Sequence, residues 1–165
     1  MNGLINFPQR MYYPTLKSNF KIPVIKHIIR ILYAIPIPDK QSQKIKFLQQ
    51  IKEAINNGKT IHFYPEGSLW PYCERIRKFK KGAFRIAVET NKPIIPILYK
   101  FEESQGIYKI YKSKKCIHAK VMEPIYPNNS LEKIDRINDL MARTLLALEK
   151  NNNEITIDGQ FQGYI

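Results

Sequence analysis

Cysteine is nearly missing from this chain: Cys73 and Cys116 are the two in 165 residues. They are far apart and form no Cys-x-x-Cys. That excludes a disulfide framework and reads as two free thiols in a reducing compartment. Histidine is also scarce, with His27, His62 and His118 only. No stretch approaches the ~20 consecutive apolar residues that a bilayer crossing requires. The N-terminus shows no long apolar h-region of the kind a signal peptide carries. There are no internal repeats and no Gly/Ser-rich or Pro-rich linker. Hydrophobic residues make up 44% of the chain, which excludes disorder, and the length suits one domain around one core. The expected domain is the whole of 1–165, with its core in 17–150 and loosely held ends at 1–16 and 151–165.

Acidic residues are the other shortage. Fourteen stand against 27 Lys/Arg, a net charge of +13. The imbalance is local. Residues 1–60 carry ten basic against two acidic residues, 61–100 eight against three, and 101–165 nine of each. A basic surface of this kind attracts anionic lipid headgroups, nucleic acid or acidic carrier proteins, or is simply a solvated lysine-rich face. No helix-turn-helix signature, zinc spacing or aromatic-basic RNA motif is present, so nucleic acid is not an expected partner.

Taken in order, Met1 to Thr15 reads as irregular, with Gly3, Pro8 and Pro14 as breakers. Lys17 to Tyr33 has apolar residues at 24, 25, 28, 29, 31 and 32 and predicts a helix, with Pro23 in its first turn. Lys26, His27 and Arg30 fall on the opposite face. Such a helix suits a membrane surface or a packed position on a sheet equally well. Ala34 to Pro38 reads as a short or edge strand because of its two prolines. Gln41 to Asn57 carries a stripe at 45, 48, 51 and 55 that predicts a core-packed helix, ended by Gly58.

The segment Ile61–Lys81 organises the rest. Ile61 to Tyr64 is β-branched and aromatic, a buried strand by composition, within an expected strand 60–64. Pro65 stops the ladder, and Glu66, Gly67 and Ser68 follow at the strand's C-terminal end, where open α/β sheets bind ligands. A basic run, Arg75, Arg77, Lys78, Lys80 and Lys81, leads into a short helix, Gly82 to Thr90, that Asn91 can end in αL. Ile94 to Tyr99 is an apolar strand interrupted by Pro96, which demands a bulge, a ligand-facing edge or an edge strand. Gly106 to Tyr111 and Cys116 to Met122 read as a hairpin, with His118 facing solvent. The turn Pro127–Ser130 precedes an amphipathic helix over Leu131–Lys150.

Phe63-Tyr64-Pro65-Glu66-Gly67-Ser68 resembles the Phe-Pro-Glu-Gly-Thr block of glycerolipid acyltransferases, the lysophosphatidic acid acyltransferase family. Lys80-Lys81-Gly82-Ala83-Phe84 and Lys92-Pro93-Ile94-Ile95-Pro96-Ile97 resemble that family's next two blocks, in order. The resemblance covers about residues 17–125 and implies a single α/β domain, a mixed, mainly parallel sheet flanked by helices. It implies transfer of a fatty acyl group from acyl-CoA or acyl carrier protein to a glycerolipid or lysophospholipid hydroxyl, with no other cofactor and no metal. It implies substrate binding by Glu66, Gly67, Ser68 and Pro96. Two departures bear on the acceptor. Leu69-Trp70 replace the usual Arg-Ser, making Arg75 and Arg77 candidates for the lost phosphate-gripping arginine. In Tyr33–Lys40 the family's Gly-x-x-Phe-Ile-Asp-Arg-like block survives only as Lys40, a point charge in place of a bidentate fork. Trp70 suits an acyl chain, the membrane interface or the core.

The family's base is the histidine of a His-x-x-x-x-Asp block, oriented by its aspartate. Five residues after His27, His62 and His118 stand Leu32, Gly67 and Glu123, so no such block exists here. No catalytic residue is assigned, and His62 reads as a packed histidine. Two readings stay open: an acyltransferase fragment whose base lies upstream, or a non-catalytic lipid- or partner-binding module of the same fold. Either would work on the cytoplasmic side, peripheral on an anionic inner membrane face.

Overall fold

The computed structural model describes residues 11–23, 25–67, 75–102 and 116–152. Its elements run β1 (Met11–Leu16), a 3-10 turn (Lys17–Lys21), α1 (Ile25–Ile31), β2 (Ala34–Ile37), α2 (Gln41–Asn56) and β3 (Thr60–Ile61). Then come α3 (Gly82–Thr90), β4 (Ile97–Glu102), β5 (Cys116–Val121) and α4 (Lys133–Asn151). β1 lies between β2 and β3 and is parallel to both. β4 and β5 form a separate antiparallel pair. The chain is thus a single α/β domain in which parallel pairing carries one part and an antiparallel strand pair the other.

The expectation of an irregular, loose N-terminal segment is corrected here. Met11–Leu16 (MYYPTL) is the central strand of the parallel sheet. Pro14 is accommodated by strand geometry. The Tyr12 carbonyl accepts the His62 N–H at 2.8 Å, so Tyr12 and Pro14 turn their polar groups toward β3. The β1–β3 ladder ends at Tyr12↔Ile61. The missing N–H therefore falls just beyond the last rung. This also explains why the strand expected over 60–64 is laddered only at Thr60–Ile61. Pro36 obeys the same rule. Tyr33 and Ile35 face β1, so Pro36 turns its donorless nitrogen to the side of β2 that pairs with no described strand.

The helix expected over 17–33 is shorter. Its first part is the 3-10 turn, and Pro23 separates that from α1. Tyr33 ends α1 at φ +60, a left-handed conformation unusual for a bulky side chain. The α2 stripe is rotated from the expected one. Ile45 is exposed, and Lys44, Phe47 and Ile51 turn inward, with Ile51 fully buried. Gly58 ends α2 at φ +76, and the Lys59 N–H reaches back to the Ala54 carbonyl at 2.9 Å, closing a Schellman-type turn. Asn91 ends α3 in αL, as its side chain allows. The α4 start lies at Lys133, not Leu131. Its N-cap Glu132 makes no side-chain cap, and Ser130 is tied instead to Asn128.

Pro96 sits at a bulge. Val121 pairs with Ile97, whereas Ile125 pairs with Ile94, one residue out of step. The Pro96 carbonyl accepts the Met122 N–H at 3.0 Å, and proline cannot return the second bond. The expected strand 106–111 and its connection at 112–115 lie outside the described residues.

The core is eccentric. Phe79, Phe84, Ala87, Val88, Leu98, Ile137, Leu140, Met141 and Leu148 form it, from the 75–81 segment, α3, β4 and α4. Leu140 is fully enclosed. The elements at the other end keep their apolar groups outside: Leu16, Ile22, Ile28, Ile31 and Leu32 are all exposed. Glu89 on α3 joins the helices: Lys52 of α2, Arg85 of α3 (3.0 Å) and Lys133 of α4 (2.6 Å) all pair with its carboxylate.

Candidate functional site

β3 runs through His62–Tyr64 into a tight turn. The Gly67 N–H donates to the Tyr64 carbonyl at 3.0 Å, and Gly67 has φ +73, a region open to glycine at little cost. The segment after Arg75 returns alongside, and its Lys80 N–H donates to the Pro65 carbonyl at 2.7 Å. Phe79 is buried and stacks on Phe84, centroids 5.8 Å apart. That anchor fixes the register of the basic segment against the turn. Its neighbours Lys78 and Lys80 point outward.

Glu66 is held by this segment. Arg77 Nε donates to its Oε2 at 2.8 Å, both side chains being partly buried. Arg77, expected to hold substrate phosphate, thus has its charge balanced by the turn's own carboxylate. Arg75 is exposed. Ser68, Leu69, Trp70 and Cys73 lie outside the described residues. Pro96 is buried at the bulge beginning β4.

The face of the parallel sheet beside the turn is aromatic. The His62 ring lies between Tyr13 (5.2 Å between centroids) and Tyr64 (4.8 Å, edge-on). Burial holds the His62 imidazole below its ordinary pKa. Burial raises the phenols of Tyr64 and Tyr99; Tyr13 adds to both, and Tyr64 adds to that of Tyr99. His27 and His118 are exposed, far in sequence from this turn. Among the described residues no group of three or more His, Cys, Asp or Glu could hold a metal ion.

Two features escape a reading of the sequence. The tyrosine surround of His62 needs β1, a strand that the breakers around Met11–Leu16 conceal. Lys80 is visible in the Lys80-Lys81-Gly82 run, but its place over the turn follows from the Phe79 anchor.

An α/β frame with a Pro-Glu-Gly turn after a parallel strand, backed by a basic segment, resembles the scaffold of acyl-transferring enzymes. The chain belongs to the Acyltransferase family, whose sequence model matches residues 2–100. It is 32% identical over 96 residues to the chloroplastic 1-acyl-sn-glycerol-3-phosphate acyltransferase BAT2 of Brassica napus, covering 57% of this chain and 27% of that protein. It is 35% identical over 82 residues to a 1-acyl-sn-glycerol-3-phosphate acyltransferase of Chlamydomonas reinhardtii, covering 48% of this chain and 24% of that one. The fold matches the crystal structure of PlsC, the 1-acyl-sn-glycerophosphate acyltransferase of Thermotoga maritima, with a TM-score of 0.58 and 21% identity. That match covers 93% of this chain and 61% of the other. The chain therefore spans about a quarter of the length of these curated relatives. Among the described residues no helix is long and apolar enough to cross a membrane.

Proposed function

We propose that this chain is the substrate-binding part of an acyltransferase that esterifies a hydroxyl of a lysophosphatidate-type glycerolipid. The observation that carries the reading is the Glu66–Arg77 pair on the Pro65–Gly67 turn, inside the family match. Binding acceptor and donor is the role of this part. Glu66 and Gly67 shape the turn, Ser68 continues the motif, and Arg75, Arg77 and Pro96 are assigned to substrate binding with them. The donor is a fatty acyl thioester of coenzyme A or of acyl carrier protein. The base is supplied by a His-x-x-x-x-Asp segment outside these 165 residues, since none of the three histidines is followed by an acid at that spacing. An acceptor hydroxyl is a weak nucleophile near neutral pH, and a positioned base is worth ~10²–10⁴-fold. The 165-residue chain alone then binds without turning over.

The site of action in this proposal is the cytoplasmic face of an anionic membrane, with no nucleic acid involved. The exposed Leu16, Ile22, Ile28, Ile31 and Leu32 share one stretch of chain with Lys17, Lys21, Lys26 and Arg30. An apolar ridge among cations suits an anionic bilayer surface, each cation contributing about 1 kcal/mol.

The test is complementation. Acyl transfer from a radiolabelled acyl thioester to lysophosphatidate is measured for the chain alone and with a relative's His-x-x-x-x-Asp segment fused upstream. The chain alone should give no enzymatic turnover, the fusion should give turnover, and Glu66→Ala should remove it again. Robust transfer by the chain alone with His27, His62 and His118 all replaced would overturn the missing-base argument.

A further inference from the structure

We propose that Lys80 is the cation that sets selectivity for an anionic, phosphate-bearing acceptor at this turn. The proposal rests on the acceptor-binding reading above and adds to it the group that recognises the headgroup charge.

Three observations converge on Lys80. Its position is fixed by backbone: the 2.7 Å bond from its N–H to the Pro65 carbonyl and the buried Phe79 beside it pin its Cα against the turn. Its side chain lies over Gly67. A Cβ built on Gly67 would stand 2.6 Å from Lys80 Cε, 2.7 Å from Cδ and 2.7 Å from Nζ. The space that any other residue's side chain would take there is filled by the lysine stem. Finally, among the described residues the Lys80 ammonium has no ion pair and no side-chain hydrogen bond.

Arg77 contrasts with it. The guanidinium donates to Glu66 at 2.8 Å, so this pair presents little net charge to a ligand. Lys80 is then the cation held on the turn itself with its charge unspent. An ammonium is a compact point charge with three donors and no planar fork. It suits a phosphomonoester in several orientations, and it distinguishes a charged headgroup from a neutral one without fixing its rotation. The same chemistry would serve a lysophosphatidate headgroup or free inorganic phosphate, so the experiment separates these.

The full chain is titrated with short-chain lysophosphatidate, with the matching neutral monoacylglycerol and with inorganic phosphate. The variants are Lys80→Gln, Lys80→Arg and, as a control for general charge, Lys78→Gln. Circular dichroism and thermal melting confirm that each is folded. Lysophosphatidate should bind the parent at least tenfold more tightly than monoacylglycerol. Lys80→Gln should lose about tenfold on lysophosphatidate and nothing on monoacylglycerol, and Lys80→Arg should keep most of the affinity. Lys78→Gln should change little. Equal losses in Lys80→Gln and Lys78→Gln would overturn the proposal, because the effect would then be diffuse charge. Loss of monoacylglycerol binding as well would overturn it too. Two outcomes separate this subsite from the wider reading. If the parent binds both lipids equally, the subsite falls and the acceptor-binding reading stands. If the parent binds inorganic phosphate through Lys80 but neither lipid, the subsite stands and the acceptor reading falls.

Discussion

Replacing Glu89 by glutamine should loosen the junction of three helices and flatten the acid limb of the stability curve. Glu89 is the acid at the centre of the α2–α3–α4 contact, its side chain only 12% exposed, with Lys52, Arg85 and Lys133 on its two oxygens. The hydrogen bonds from Lys133 and Lys52, foremost among these cations, hold its pKa down from 4.5 to about 2. At 1.36 kcal/mol per pKa unit, that depression corresponds to a ceiling of about 3 kcal/mol. Arg85 and Lys133 are themselves well exposed, so solvent screening reduces the figure to about 1–2 kcal/mol. Because the folded pKa lies below the unfolded one, the contribution is complete above pH 4.5 and is lost as the pH falls toward 2. Urea unfolding of the parent and of Glu89→Gln, followed from pH 7 to pH 2.5 at low salt, measures both terms. The variant should be less stable by about 1–2 kcal/mol at pH 7, and the gap should close toward pH 2.5. A variant within 0.5 kcal/mol of the parent at pH 7, with an unchanged acid limb, would refute the clamp.

Gly67→Ala should cost roughly 1 kcal/mol through its positive φ and should also push the flexible Lys80 tip aside, weakening lysophosphatidate binding. Gly58→Ala has the same kind of φ but open space around it, so equilibrium unfolding should register a similar loss with binding intact. Leu140→Ala, at the fully enclosed centre of the core, should cost about 2–5 kcal/mol by denaturant titration. Co-sedimentation with anionic vesicles should be strong at low salt, fall steeply at high salt, and weaken when Ile28 and Ile31 are both changed to serine. Equal binding to neutral vesicles would show that charge is not the cause. The His62 imidazole, followed by NMR, should titrate below its ordinary 6.5, because burial disfavours the charged ring.

The parts of the fold that were legible in the sequence are those whose signal is local. Gly82–Thr90 carries its apolar residues at helical spacing with Asn91 to end it, and the structure begins and ends the helix there. The turn at Gly67 and the irregularity at Pro96 follow from what glycine and proline permit. Illegible were the features set by a neighbour. Met11–Leu16 looks broken because Pro14 lacks a donor, but a strand flanked on both sides can place that gap past the end of one partner. The α2 stripe fails for a related reason. Residues 45 and 48 have the right period, but the face turned inward is the one carrying Lys44, Phe47 and Ile51, so Ile51 is enclosed and Ile45 is left in solvent. At the site, Glu66 was recognisable from its motif. Its pairing with Arg77, eleven residues on, depends on how the intervening chain returns, and no spacing rule conveys that.

His62 is the histidine beside the turn, and its surroundings do not suit a general base. A general base needs an open lone pair aimed at the acceptor hydroxyl and, in the usual arrangement, a third group that fixes the ring. Among the described residues His62 lacks that third group. Its ring is wedged between Tyr13 and Tyr64, and among the described residues no carboxylate hydrogen-bonds to it. The nearby carboxylate, Glu66, is already engaged by Arg77. Burial without a compensating anion lowers the imidazole's pKa, which leaves the ring neutral at pH 7 but makes it a weaker proton acceptor. A base paired with an aspartate gains on both counts: its orientation is fixed and its protonated form is stabilised. On the proposed reading, residues 60–102 carry the binding turn, and proton transfer falls to a histidine–aspartate pair that neither the turn nor the His62 ring beside it supplies.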